Sequence, residues 1–191
     1  MRAEVTKKLF TVDEYYRMVE AGILNEDDRL ELIEGEIIEM SPIGLKHMSC
    51  VDRTMDALTS ALKGRALVSV QHPLRLNNYN EPQPDIVVLK PRTDYYASKP
   101  HTPEDSFLVI EVSDTTLRYD VKVKLPIYAA LGVSELWIEN LRGDVLLVCR
   151  NPTGKSYSTQ LTLHRSDSVS PIAFPDVVFT IEDLLGAALE G

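Results

Sequence analysis

Two short runs of this chain carry no polar residue at all: Ile86-Val87-Val88-Leu89 and Phe107-Leu108-Val109-Ile110. A strand with one face in water alternates apolar and polar side chains, so unbroken runs rich in Val and Ile define strands covered on both faces. The sheet that contains them must lie between two layers. Each run is far shorter than the roughly 20 apolar residues that cross a bilayer. With 44% apolar and 26% charged residues, the chain has the side chains for one core in a single domain of residues 1–191. Disordered and collagen-like classes are excluded.

Caps, periods and turns outline the elements around those runs. Thr11-Val12-Asp13-Glu14 fits a capping box, which predicts a helix from Val12 to about Glu20, ended by Gly22. Two apolar stretches flank Glu34-Gly35 within residues 29–40, the pattern of a tight hairpin. Met48, Val51, Met55, Leu58 and Leu62 recur at helical spacing before a stop at Gly64. Ala66–Val70 and Phe107–Val112 read as strands beside Ile86–Leu89. Glu135–Glu139, Val145–Cys149 and Ser156–Leu163 follow, joined by Arg142-Gly143-Asp144 and Pro152-Thr153-Gly154. Asp120 to Leu131 is expected to be helical up to Gly132, with Pro126 in its first turns or at a kink. Lys90–Ser106, with three prolines and Tyr95-Tyr96, reads as a long connection serving as a lid, a partner surface or a solvated excursion. A C-terminal helix, Ile181–Leu189, closes the chain.

The net charge of -9 opposes non-specific attachment to phosphate backbones and anionic membranes. It is unevenly spread: residues 1–40 carry six more acids than bases, whereas residues 41–100 carry three more bases than acids. The first residues lack the apolar core and cleavage site of a secretory signal, and only Cys50 and Cys149 could pair. The expectation is a reduced, cytoplasmic protein with no membrane partner.

The chemistry gathers at the ends of the two apolar runs. Asp85 follows Pro84 at the start of one strand, and Glu111 stands near the end of the next. If these strands pair antiparallel, the two residues oppose each other with Cα atoms about 5 Å apart, and their carboxylates can share one divalent cation. Two carboxylates at the edge of an apolar sheet are costly without a cation or hydrogen-bond donors. Magnesium, which keeps several of its waters, requires little more than such a pair. A lysine beside it would orient the attacking water and offset charge on a phosphoryl oxygen; Lys124 and Lys122 are the candidates.

Each of these residues also has a purely structural reading. Asp85 would serve as a turn aspartate after proline, Lys124 as a solvent-facing helix lysine and His47 as a cap or packing residue. Gln71 would satisfy a strand end, and Glu31 would occupy a solvent-facing position of the hairpin. Trp137 and Tyr128 read as core, Glu26-Asp27-Asp28 as a solvated loop, and the cysteines lack zinc-ligand spacing.

Four stretches in order, Pro84-Asp85, Glu111-Val112-Ser113-Asp114-Thr115-Thr116-Leu117-Arg118-Tyr119-Asp120, Lys124-Leu125-Pro126-Ile127-Tyr128 and Gly132-Val133-Ser134-Glu135-Leu136-Trp137, closely resemble the Uma2 family. That family is also catalogued as a domain of unknown function abundant in cyanobacteria. Glu31-Leu32-Ile33-Glu34-Gly35-Glu36, Met40-Ser41-Pro42 with His47, and Gln71-His72-Pro73 agree with it, so the resemblance spans roughly residues 10–185. The family is placed in the PD-(D/E)XK, restriction-endonuclease-like nuclease superfamily. The resemblance therefore implies an α/β (α+β) mixed sheet with flanking helices and an additional N-terminal hairpin.

It further implies Asp85 and Glu111 as carboxylates for Mg²⁺ or Mn²⁺ and Lys124 as the catalytic lysine, with Glu31, His47, Gln71 and Asp120 in support. The lysine departs from the superfamily's short motif. Ser113 stands two positions after Glu111, so Lys124 must reach the same point from the following helix. Asp120, one turn earlier, is expected to pair with it at i, i+4.

The resulting expectation is a metal-dependent endonuclease that hydrolyses DNA phosphodiesters, with Lys46, Arg53, Lys63, Arg65, Arg75 and Lys90 supplying local phosphate contacts. A homodimer is compatible with cutting two strands, although no interface is specified. The alternative is a catalytically inactive nuclease-fold module for binding or assembly, meeting its partner through Tyr95-Tyr96 and the later strands. A non-nuclease metal hydrolase would use the same carboxylates.

Overall fold

The Thr11 hydroxyl accepts from the Glu14 amide at 3.2 Å, and the Glu14 carboxylate accepts from the Thr11 amide at 2.9 Å. Helix α1 (Val12–Glu20) therefore starts where the capping box places it. The structure, a computed structural model, describes residues 6–25 and 27–186. Strands β1 (Leu30–Ile33) and β2 (Glu36–Glu39) pair antiparallel around Glu34 and Gly35. Both turn residues have positive φ, 51° and 77°, as a two-residue I′ hairpin turn requires. Packing demands glycine as well, since a Cβ at Gly35 would lie 2.7 Å from the Leu9 Cβ.

Helix α2 (Leu45–Ala61) begins ahead of Met48, where the apolar period starts, because its first turn points away from the core; Leu45 is 82% exposed. Then come β3 (Leu67–Val70), β4 (Ile86–Leu89), β5 (Ser106–Ser113), β6 (Glu135–Asn140), β7 (Val145–Thr153) and β8 (Ser156–Leu163). They form a six-stranded sheet in that order. Only β5 and β6 run parallel; every other neighbouring pair is antiparallel. The mixed sheet expected from the sequence is thus present.

A parallel pair needs a crossover, and here it is helical. It consists of α3 (Leu117–Tyr119), a π turn over Asp120–Lys124 and α4 (Leu125–Ala130). The sequence suggested one continuous helix from Asp120 to Leu131. The difference centres on Pro126, which has no N–H to offer the Lys122 carbonyl, while the Leu125 N–H bonds back to the Asp120 carbonyl.

Layers cover both faces of the sheet. On one, α2 and α5 (Ile181–Leu185) pack with Ile86, Val88, Leu108 and Ile110; on the other, Leu74, Tyr96 and α4 pack with Val87, Leu89 and Val109. No residue of Ile86–Leu89 exceeds 1% exposure, the two-sided burial that an unbroken apolar run demands.

The Lys90–Ser106 connection is mostly turns, with a short 3₁₀ turn at Pro103–Asp105. Tyr96 is drawn into the core, its hydroxyl on the Lys90 carbonyl at 2.8 Å, leaving Tyr95 alone exposed. Tyr95-Tyr96 therefore does not form a paired aromatic surface. Strand β7 runs past Cys149 to Thr153 because its hairpin with β8 continues the pairing beyond the apolar stretch. Two further strands, β9 (Ser168–Val169) and β10 (Phe179–Thr180), are too short to leave a period in the sequence. The last turn of the expected helix Ile181–Leu189, from residue 187, lies outside the described residues. Among the described residues no helix is long and apolar enough to cross a membrane, and Cys50 and Cys149 are buried free thiols.

Candidate active site

The β4–β5 register sets Ile86 opposite Ile110, so Asp85 and Glu111, one step further along, oppose each other. Their side chains reach different layers: Asp85 meets α2 through His47, and Glu111 meets α4 through Tyr128. Asp85 is held by three donors. Its Oδ2 accepts from the Val112 backbone N–H at 2.9 Å and lies 3.1 Å from His47 Nε2, while Oδ1 accepts from the Gln71 side-chain amide at 3.2 Å.

Gln71 has left-handed backbone, φ 51°, a conformation that costs a non-glycine residue about 1–3 kcal/mol and persists only where neighbours enforce it. Its N–H bonds the Asp85 carbonyl at 3.0 Å, and its own carbonyl accepts from the Gln83 side chain at 2.7 Å. Burial favours the neutral form of Asp85, but the His47 bond and charge, the Val112 N–H and Gln71 outweigh it and hold the carboxyl below its usual range. His47 responds in the opposite sense: burial lowers its pKa, and the bond and charge of Asp85 raise it further than burial lowers it. Asp85 is thus held toward its ionised form.

Glu111 lies in a different network. Its Oε1 accepts from the Tyr128 hydroxyl at 2.6 Å and from Lys124 Nζ at 3.1 Å. The same ammonium donates to Glu31 Oε1 at 2.8 Å, an oxygen that also accepts from the Gln83 N–H at 2.8 Å. Lys124 is 7% exposed, Glu111 4% and Glu31 2%. Burial lowers the Lys124 pKa, but the charges of Glu111 and Glu31 more than reverse this, so the lysine stays charged. For Glu111, burial is the largest influence and raises its pKa; Lys124 opposes it, and Asp120, Asp85 and Glu31 add to the rise. The titration of Glu111 therefore moves upward where that of Asp85 moves down.

Of the residues singled out in the sequence, Asp85, Glu111, Lys124, Glu31, His47 and Gln71 are brought together. Asp120 lines the same cleft but does not pair with Lys124. Its Oδ2 is taken by the Ser113 hydroxyl at 2.6 Å and the Thr116 hydroxyl at 2.7 Å, and the ammonium goes to Glu31 and Glu111 instead. Glu31 is not a solvent-facing hairpin residue but a buried acceptor. Tyr128 belongs to the core and also touches the site. A signal for this existed, because Tyr128 follows Lys124 by four residues and such pairs share a helix face.

All of these site residues except Tyr128 line a cleft of about 1030 Å³, together with residues from Met40 to Gly44 and from the stretch between Asp114 and Lys124. Glu31, Asp85, Glu111 and Asp120 are all buried there with Lys124. That excess of acid, supplied by carboxylate oxygens, fits a hard divalent cation that retains most of its waters. Among the described residues no group of three or more His, Cys, Asp or Glu side chains is placed to hold a metal ion.

The mixed sheet with its β5–β6 helical crossover defines a fold shared with a crystal structure from Anabaena variabilis, described as "a putative nuclease belonging to DUF820". The two match with a TM-score of 0.72 and 18% identity over 92% of this chain and 97% of the other. A family model, Uma2, described as "Putative restriction endonuclease", matches residues 12–182; the chain belongs to the Uma2 family. No curated protein gives a significant match.

Proposed function

We propose that this protein is a metal-dependent endonuclease that hydrolyses phosphodiester bonds of DNA. The observation that carries the reading is the placement of Asp85, just before β4 and bonded to the Val112 N–H, beside Glu111 of β5, with Lys124 bonded to Glu111 at 3.1 Å. The family's description and the fold shared with a protein described as a nuclease support it. Asp85 and Glu111 would hold Mg²⁺ or Mn²⁺, whose chemistry when bound is to polarise a phosphoryl oxygen and acidify a water. Lys124 sets positive charge beside Glu111, where negative charge builds on the phosphoryl oxygens during in-line displacement. Glu31 fixes that ammonium from the hairpin side, and His47 and Gln71 fix the Asp85 carboxylate from α2 and the end of β3.

Purified protein with Mg²⁺ or Mn²⁺ should nick plasmid DNA, and EDTA should stop it. Asp85→Asn and Glu111→Gln, which keep size and remove charge, should each lower the rate by about 100-fold or more, the scale of one electrostatic or acid–base contribution. Cleavage that survives both substitutions overturns the assignment.

A further inference from the structure

We propose, building on the nuclease reading above, that the cleft admits an unpaired strand and that a scissile phosphodiester in a duplex must leave its helix to reach Asp85 and Glu111. Depth is the first reason. Asp85, Glu111 and Lys124 are 8%, 4% and 7% exposed, at the base of a cleft of about 1030 Å³. That volume is just above the roughly 300–1,000 Å³ range that encloses a drug-sized molecule. It has room for a nucleotide or two of strand, and a duplex would reach its base only at a cost in deformation.

The chemistry of the lip is the second reason. Met40, Pro42 and Ile43, on the segment that leads into α2, line the cleft beside His47. Tyr119 adds aromatic surface to the lining. Apolar and aromatic side chains find partners in base faces, which an unpaired strand displays and a duplex hides.

Charge is the third. Arg29, Arg118 and Lys122 line the cleft in a chain whose net charge is -9. A duplex carries a charge about every 1.7 Å of its axis, and its binding depends on neutralising many of them. Three cations at the edge of an acidic surface suit a short length of single strand.

The test uses one sequence prepared as a labelled single strand, a blunt duplex and a fork with unpaired arms. Binding is read by fluorescence anisotropy in Mg²⁺ with the non-cleaving Glu111→Gln chain, and with Asp85→Asn as a second such chain. The single strand should bind about tenfold or more tightly than the blunt duplex, the scale of one base-stacking contact. Met40→Ser with Ile43→Ser, both partly exposed in the cleft lining, should weaken single-strand binding several-fold and leave duplex binding unchanged. With wild-type protein, the single strand and the fork's arms should be cut and the blunt duplex spared. Duplex binding equal to or tighter than single-strand binding overturns the proposal, as does failure to bind the single strand. Single-strand preference without cleavage of any substrate overturns the nuclease reading and leaves the strand selectivity standing.

Discussion

The Tyr128 hydroxyl donates to Glu111 Oε1 across 2.6 Å, on the same oxygen that Lys124 reaches at 3.1 Å. A helix that closes one face of the sheet therefore also aims a carboxylate of the site. Burial and the charge of Glu111 hold the phenol's pKa far above its usual value, so it remains a donor at any working pH.

Removing only that hydroxyl separates packing from positioning. Tyr128→Phe keeps the ring, which is 0% exposed, and should cost about 1–3 kcal/mol in urea unfolding for one buried hydrogen bond to a carboxyl group. Cleavage should fall by about 10–100-fold, as when a support behind a metal-binding carboxylate is lost, with a higher Mg²⁺ concentration needed for half-maximal rate. A stability loss with unchanged rate and unchanged Mg²⁺ dependence would make Tyr128 a packing residue only.

The buried ion cluster gives a prediction about stability. Lys124→Met leaves Glu31 and Glu111 facing each other without the ammonium between them, and should destabilise the fold by about 3–5 kcal/mol. Adding Glu31→Gln and Glu111→Gln to Lys124→Met removes the uncompensated charge and should recover part of that loss. Urea denaturation of the single and triple variants measures both. Equal stability of the two would mean that the destabilisation comes from lost lysine packing rather than from charge.

How much of this was legible before the structure follows from which signals are local. The capping box at Thr11–Glu14, the Glu34-Gly35 turn and the double burial of Ile86–Leu89 depend on neighbouring residues and stand in the structure as the sequence reads. The opposition of Asp85 and Glu111 followed from the two apolar runs once antiparallel pairing was assumed. What stayed hidden depends on long-range geometry. Glu31 reaches Lys124 across 93 positions of sequence, and hairpin alternation alone makes it look solvated. The π turn also escaped, since no periodicity marks a single widened turn, and with it went the expected Asp120–Lys124 pair. Glu139 drew no notice inside a strand, although it is fully buried on the α2 side of the sheet.

Glu139 predicts a pH dependence of stability. Its carboxyl accepts from the Cys50 thiol at 2.8 Å and the Thr54 hydroxyl at 2.9 Å. Burial, the largest influence, raises its pKa against these two bonds, and with the charge of Asp85 the result is about 7 where 4.5 is usual. The folded chain thus keeps a proton that the unfolded chain releases. The stabilisation is fully present below about pH 4.5 and lost as pH rises to about 7, on the order of 3 kcal/mol in all. Urea unfolding between about pH 5 and 8 should show stability falling with pH, and Glu139→Gln should flatten the profile. Glu111 titrates upward in the same sense, so a residual slope is expected in the variant. Parallel profiles for the two proteins would refute a role for Glu139.

Salt dependence tests which cations meet phosphate. Arg118 and Lys122 are exposed on the wall of the cleft that also carries Lys124, and neither is among the groups that hold Asp85 or Glu111. Each contact with a single-strand phosphate contributes about 0.7 to the slope of log affinity against log salt. Arg118→Ala and Lys122→Ala should therefore each weaken binding of every sequence alike and reduce that slope by about this amount, while the double variant reduces it by about twice as much. Lys46, Arg53, Lys63, Arg65, Arg75 and Lys90, expected from the sequence to meet phosphate, all lie outside the cleft lining, so Lys63→Ala, at an exposed position, should leave the slope unchanged. The measurement is anisotropy across a salt series with a non-cleaving chain. A slope lowered by Lys63→Ala and not by Arg118→Ala would move the nucleic-acid path off this cleft, and the carboxylates at its base would lose their substrate.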